Sequence, residues 1–183
     1  NGTPVVISTN TINLQEQLVN KDIPLLKQAL NHLSGLQVTT LKGRSNYLCP
    51  LRWDSLRQSL VLSHEEALFL AKTLIWLSHT QTGDKAELHL LANEASVWNG
   101  VAAGEENCHK NSCHYYEEGR CFLFRARQQA ESAHLVVTNH ALLLSAMASG
   151  ARILPSYNHL IIDEAHHLEA EATAQLGIKI PSE

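Results

Sequence analysis

The run His159-Leu160-Ile161-Ile162-Asp163-Glu164-Ala165-His166 places two adjacent carboxylates directly after a stretch of branched apolar residues. Such a run reads as a buried strand. Acids at the carboxyl end of a strand in an open α/β sheet lie where ligands collect, so they are candidates for metal and phosphate chemistry. The plainer alternative is an acidic helix start, where carboxylates favour the positive pole of the helix dipole. The second chemistry-bearing set is the four cysteines, Cys49, Cys108, Cys113 and Cys121. The last three fall in a C-x4-C-x7-C pattern, and Cys49 lies far upstream, just before Pro50. Disulfides need an oxidising compartment, and the first residues carry no basic and apolar signal-type stretch. Four thiols confined to one polar part of the chain do not look like core filling. A metal centre fits better, as zinc or as an iron–sulfur cluster. Zinc ribbons favour paired C-x2-C knuckles, which are missing, although His109 and His114 each follow a cysteine and are alternative zinc ligands. Cubane clusters accept four thiolates at irregular spacing.

These residues need elements to position them. Residues 4–9 (PVVIST) read as a short buried strand with a polar exit through Ser8, Thr9, Asn10 and Thr11. Residues 12–20 and 24–33 have helical spacing, and residues 36–41 (LQVTTL) alternate as a second strand. Residues 51–62 read as a helix. Ser63-His64-Glu65-Glu66 has the form of a capping box. Behind it Ala67, Leu70, Ala71, Leu74 and Ile75 recur at helical spacing, which predicts an amphipathic helix buried along that face. Gly83-Asp84 marks a turn, residues 93–103 and 121–132 are helical, and residues 104–119 are polar and poorly patterned. Residues 133–138 (AHLVVT) return to a buried strand. A short helix over 141–148 and a break at Gly150 lead to the acid-bearing strand.

Strand–helix–strand, then a mostly helical block, then two apolar strands make an α/β parallel layer interrupted by an insertion. The expected division is 1–42 and 134–183 for the layer and 43–133 for the insertion, which holds all four cysteines. At 183 residues with 44% hydrophobic and 17% charged content, the chain has the composition of a globular protein. No uninterrupted apolar run approaches the roughly 18 residues of a membrane span, so no membrane partner is expected. The start, in a strand and without methionine, reads as a cut inside a larger protein. A net charge of −4 argues against a protein that coats nucleic acid with basic surface. Basic residues do gather at Lys42, Arg44 and Arg52, and again at Arg120, Arg125 and Arg127.

Several segments resemble one family. DEAH after an apolar strand looks like the Walker B element, motif II, of superfamily 2 helicases. LKGRSNYLCP (residues 41–50) resembles the lead-in to the first cluster cysteine in the XPD/DinG branch. VVISTNTINLQEQLVNKDIP (residues 5–24) looks like motif Ia of the bacterial DinG-like members, and CFLFRARQQAESAHLVVTNHALLL followed by LIIDEAHHLE looks like the stretch from the fourth cysteine to motif II. The long gap between Cys49 and Cys108 is closer to the DinG-like pattern than to that of XPD.

The resemblance implies a fragment of a RecA-like motor domain with a 4Fe–4S insertion, from a bacterial, cytoplasmic, ATP-dependent DNA helicase of 5′→3′ polarity acting in repair or replication. It implies Cys49, Cys108, Cys113 and Cys121 as cluster ligands, Asp163 as the Mg²⁺ ligand of Mg-ATP, and Glu164 as the residue that orients the attacking water. His166 would couple nucleotide state to the DNA-facing motifs. Thr9, Thr11 and Gln15 would lie along the strand path, with Lys42, Arg44 and Arg125 as further DNA contacts. Partners would be single-stranded or forked DNA, ATP, and single-strand-binding protein or replication and repair factors, around a monomer. Tyr47, Tyr115, Tyr116 and Phe122 have the chemistry to stack on bases, though packing over the metal centre is the more ordinary use. Arg125 and Arg127, two apart on a helix, face different ways. His140, in the TNH turn, is a candidate to approach the site, and His167 reads as an exposed neighbour.

The departures bear on function. No G-x-x-x-x-G-K-[ST] phosphate loop occurs in these residues, nor does a second motor domain. The fragment alone is therefore expected to be inactive. Two other classes stay open: a metal-stapled module that binds single strands or junctions without ATPase activity, and a DinG-like protein acting mainly as a nuclease through another domain.

Overall fold

The computed structural model describes residues 3–104, 108, 112–150 and 152–177. It divides into two compact units, Asn1–Lys42 with Arg127–Glu183, and Gly43–Ala126.

The first unit is built on four parallel strands in the order β2-β3-β1-β4, where β1 is Val5–Thr9, β2 Val38–Thr40, β3 Leu135–Asn139 and β4 His159–Ile162. β1 pairs Val6 with Val136 and Ser8 with Thr138 on one side, and Val6 with Leu160 on the other. The ladder runs one residue past β2 and β4, through Leu41 N–H to Val137 O and Asp163 N–H to Ser8 O, both 2.9 Å. The branched residues Val6, Val136 and Val137 are fully buried, as the middle of a covered parallel sheet demands.

The connections after β1 and β3 start with a polar cap. Thr11 Oγ1 accepts from Leu14 N–H and begins α1 (Ile12–Gln17). A π-turn over Leu18–Asp22 leads into α2 (Ile23–Ala29), with Pro24 in the first turn, where its missing N–H costs nothing. Asn139 Oδ1 accepts from Leu142 N–H at 3.0 Å and begins α8 (His140–Ser149). Gly150, at φ 60°, ends it in the left-handed conformation that glycine adopts freely. A last helix, α9 (Leu168–Leu176), packs against α8.

One expectation needs correction here. The apolar run before the acids is not a buried strand: β4 is an outer strand of the four, and Leu160 and Ile161 remain 37% and 51% exposed. Paired along one edge only, the strand lacks the two-sided cover that its apolar composition predicts.

The second unit is helical: α3 (Pro50–Arg57), α4 (His64–Leu77), α5 (Ala92–Val101), the short α6 (His114–Glu117) and the start of α7 (Phe122–Ser132). The capping box forms, with Glu66 N–H on Ser63 Oγ and Ser63 N–H on Glu66 Oε2 at 2.8 Å. The buried face of α4 is not the expected one. Phe69, Leu70 and Thr73 are buried, whereas Ala67, Ala71, Leu74 and Ile75 are exposed. Thr73 is drawn inward because its hydroxyl accepts the indole N–H of buried Trp53 at 2.8 Å and donates to Phe69 O. Trp98 on α5 is fully buried, edge-on to Trp76 with centroids 6.3 Å apart, and its N–H reaches Ser45 O. Lys72 and Glu94 join α4 to α5 at 2.8 Å.

Candidate metal centre and acidic strand end

Cys49 precedes α3, where Pro50 opens the helix. Its place is fixed by two isolated bridges, Tyr47 with Asp84 and Leu48 with Ala102, and by its own N–H on Val101 O at 2.8 Å. Gly83 makes the first bridge possible. It sits at φ 64°, and a Cβ there would lie 2.2 Å from the Phe122 ring, so any side chain would displace the residue following Cys121. Cys113 precedes α6 and Cys121 precedes α7. All three are half-buried, and Cys108 is exposed.

The four thiols line one cavity of about 270 Å³, walled by Leu48, Pro50, Leu51, Ala103, Tyr115 and Leu123 among others. Burial pushes the Cys121 thiol above its ordinary pKa, and the charges of Cys49, Cys108 and Cys113 each add to that rise. A thiolate there is unfavourable without a cation to compensate it. Such a donor set suits a soft, thiophilic metal. Four thiolates on one zinc ion, at a Zn–S length of about 2.3 Å, would lie about 3.8 Å apart. Among the described residues no three thiols come within 4.8 Å of one another. His114 is exposed, its ring tilted against Tyr115 with centroids 4.1 Å apart. His109 lies outside the described residues.

The aromatic residues here are packing. Tyr47, Tyr115 and Phe122 are 3%, 8% and 9% exposed, and Tyr116 lies against Phe124 with centroids 4.3 Å apart. Tyr115 donates to Asp54 Oδ2. That bond holds the Asp54 carboxyl below its ordinary pKa, while burial and the bond together push Tyr115 up to about 12. Arg125 is half-buried on α7, its guanidinium 5.9 Å from the Phe122 ring.

In the first unit, the carboxyl ends of β1 and β3 form a switch point. The chain leaves β1 toward β2 and leaves β3 toward β4, in opposite directions across the sheet, the arrangement at which ligands collect in open α/β sheets. Thr9 and Asn139 are paired there. His140 is fully buried with Nδ1 2.7 Å from Ser8 Oγ, a bond that ties the two strand ends together. Thr11 is exposed, but Thr9 and Gln15 are 1% and 0% exposed. Both polar atoms of the Gln15 side chain lack a protein partner, as do Thr138 Oγ1 and His140 Nε2. Buried polar atoms of this kind are usually satisfied by water or ligand. Lys42 is buried, its Nζ 2.9 Å from Glu16 Oε1. Thr9, Gln15 and Lys42, expected along the path of the DNA strand, have covered side chains. Arg44 is half-buried in a 3₁₀-turn.

Asp163 and Glu164 are exposed past β4. Glu164 adopts φ 52°, ψ 42°, and among the described residues no other non-glycine has positive φ. That backbone state is costly for a residue with a Cβ and is met where an environment or a function holds it. His166 Nδ1 lies 3.4 Å from Glu164 Oε2. His167 is exposed beside it, as expected.

The chain combines a parallel α/β layer that carries an acid pair beyond one strand with a helical unit whose four thiols line one cavity. No family model matches the chain. Known bacterial proteins do. The Bacillus subtilis protein named 3'-5' exonuclease DinG is 38% identical over 176 residues, 95% of this chain and 18% of that protein. The Haemophilus influenzae and Escherichia coli proteins named ATP-dependent DNA helicase YoaA are 37% and 34% identical over 99% and 97% of this chain, each match spanning 28% of the relative. The chain is thus a DinG-like segment, homologous over most of its length to a part of these proteins and spanning less than a third of them. No helix among the described residues is long and apolar enough to cross a membrane.

Proposed function

We propose that this chain is part of the first motor domain of an ATP-dependent DNA helicase, with a 4Fe–4S cluster held by Cys49, Cys108, Cys113 and Cys121. The observation that carries the reading is the convergence of four thiols on one cavity, in a chain similar to proteins named DNA helicases. When bound, the cluster supplies a multivalent crosslink. It would staple together the starts of α3, α6 and α7, which Cys49, Cys113 and Cys121 precede, with Cys108. The residues of the chain do the rest. Asp163 offers a carboxylate to the Mg²⁺ of Mg-ATP, and Glu164 orients water toward the γ-phosphate. His166, in reach of Glu164, links that carboxylate to the following helix. Thr11, Arg44 and Arg125 are the candidates along a single strand of DNA. Polarity 5′→3′, a place in DNA repair and a cytoplasmic setting belong to the same proposal.

The test is anaerobic purification of the full-length protein. Broad absorbance near about 400 nm and roughly four irons per chain are expected of a thiolate-held cubane. Cys113→Ser should remove both, and DNA should stimulate ATP hydrolysis in the parent. Stoichiometric zinc without iron would overturn the cluster, and absent DNA-stimulated ATPase would overturn the motor. A second reading has one observation in its favour: the Bacillus relative is named an exonuclease. ATP-independent degradation of DNA by the full-length protein, without unwinding, would favour it.

A further inference from the structure

Just past β4, Glu164, His166 and His167 each place one donor atom within 4.8 Å of the other two. We propose that this trio binds a transition-metal dication of the zinc type, separate from the Mg²⁺ of Mg-ATP, and that the bound metal arrests hydrolysis by taking Glu164 as a ligand. The arrest rests on the motor reading above, whereas the binding does not.

The donor set selects the metal. Two imidazoles and one carboxylate suit Zn²⁺, Co²⁺, Ni²⁺ and Cu²⁺, while Mg²⁺ prefers oxygen ligands in an octahedron. Asp163, the oxygen donor assigned to Mg²⁺, is not a member of the trio. Metal–donor lengths of about 2.0–2.2 Å put neighbouring donors of a tetrahedral site about 3.3–3.5 Å apart. His166 Nδ1 and Glu164 Oε2 are already 3.4 Å apart. That separation is long for a charge-assisted hydrogen bond, so little is lost when a metal comes between them. The His166 and His167 rings lie with centroids 4.0 Å apart.

The backbone explains why the three meet. Glu164 turns through the left-handed region at φ 52°, and the next three residues, Ala165–His167, wind as a 3₁₀-turn. The reversal folds the carboxylate back over the turn that carries both imidazoles. In an extended Glu164 the side chain would stand roughly perpendicular to the sheet instead. All three side chains are exposed, so rotamers can close around an ion without opening a core. Three protein ligands leave a coordination position for water. A metal held this way engages the Glu164 carboxylate, which is then no longer available to orient the attacking water.

The experiment uses the full-length protein with its thiol-held metal counted beforehand by metal analysis. Zn²⁺ is titrated against a chromophoric chelator, and Mg-ATP hydrolysis is measured at matched free Zn²⁺. One further equivalent of Zn²⁺ is expected, with hydrolysis falling in parallel with its binding. His167→Ala should keep the basal rate, weaken the additional Zn²⁺ at least tenfold and shift inhibition by the same factor. His167→Asp, which restores a donor, should recover part of both. Zn²⁺ bound as tightly by His167→Ala as by the parent would overturn the site. Zn²⁺ that binds through His167 yet leaves hydrolysis unchanged at saturation would overturn the arrest. If the parent shows no ATPase, the motor reading fails while the chelator titration still decides the site.

Discussion

Glu164 carries two constraints at once, a left-handed backbone and a carboxylate within 3.4 Å of an imidazole. A residue that only began an acidic helix would need neither. In the proposed motor its oxygen orients water in the transition state, so its removal should affect turnover more than nucleotide binding. Glu164→Gln in the full-length protein is expected to keep ATP affinity within a few-fold and to cut DNA-stimulated turnover by about 10²-fold or more. Steady-state kinetics with a binding titration checks both. Parent-like turnover would remove Glu164 from the chemistry and leave its backbone state without that explanation. His140 stands in contrast: buried, bonded to Ser8 and far from the acids in sequence, it links two strand ends.

At the scale of elements, Gly83 and the pair Lys72–Glu94 set the second unit's behaviour. A side chain at Gly83 meets both an unfavourable φ and the Phe122 ring. Gly83→Ala should therefore destabilise the unit by about 2–4 kcal/mol. Amide exchange in the first turn of α7, measured in the full-length protein, should accelerate at least tenfold. Glu94 donates nothing and accepts from both Lys72 Nζ and Leu91 N–H. The Lys72 bond, then the backbone bond, holds its carboxyl below the ordinary value of 4.5. A depressed folded pKa means the stabilisation is complete above the ordinary carboxylate range and is lost as pH falls through the folded value. The contact between α4 and α5 should loosen below about pH 4.5, and Glu94→Gln should flatten that limb of the pH–stability curve. These elements also show what sequence could and could not tell. The Ser63–Glu66 capping box was legible because both partners lie within one turn. The buried face of α4 was not, because the helix is apolar nearly all round and its direction is decided by Trp53 and Trp98, distant in sequence. The strand pairs were legible as apolar runs, but a run of three branched residues does not say whether it lies inside a sheet or at its edge. β4 lies at the edge. The approach of Glu164 to two histidines depended on one backbone angle, which no composition or spacing encodes.

For the whole molecule the governing quantity is charge. A chain of net charge −4 can hold DNA only through a local path where cations face phosphates. The burial pattern narrows that path. Lys42 is buried and pairs with Glu16, whose carboxylate reaches solvent, so Lys42→Ala should lower stability by no more than about 1 kcal/mol without changing the salt dependence of binding. Arg44 and Arg125 are half-buried with guanidinium groups long enough to reach solvent. On the proposed reading they each displace a counterion from a single strand, and each replacement by alanine should reduce the slope of log affinity against log salt by about 0.7. Binding should be tolerant of base sequence, because phosphate contacts carry no base information. Fluorescence anisotropy of the full-length protein on oligonucleotides of differing sequence, over a salt series, measures all of this. A slope that falls with Lys42→Ala but not with Arg44→Ala or Arg125→Ala would mean that the Lys42–Glu16 pair opens to meet the strand. The path would then run over the end of β2, and not along the two arginines.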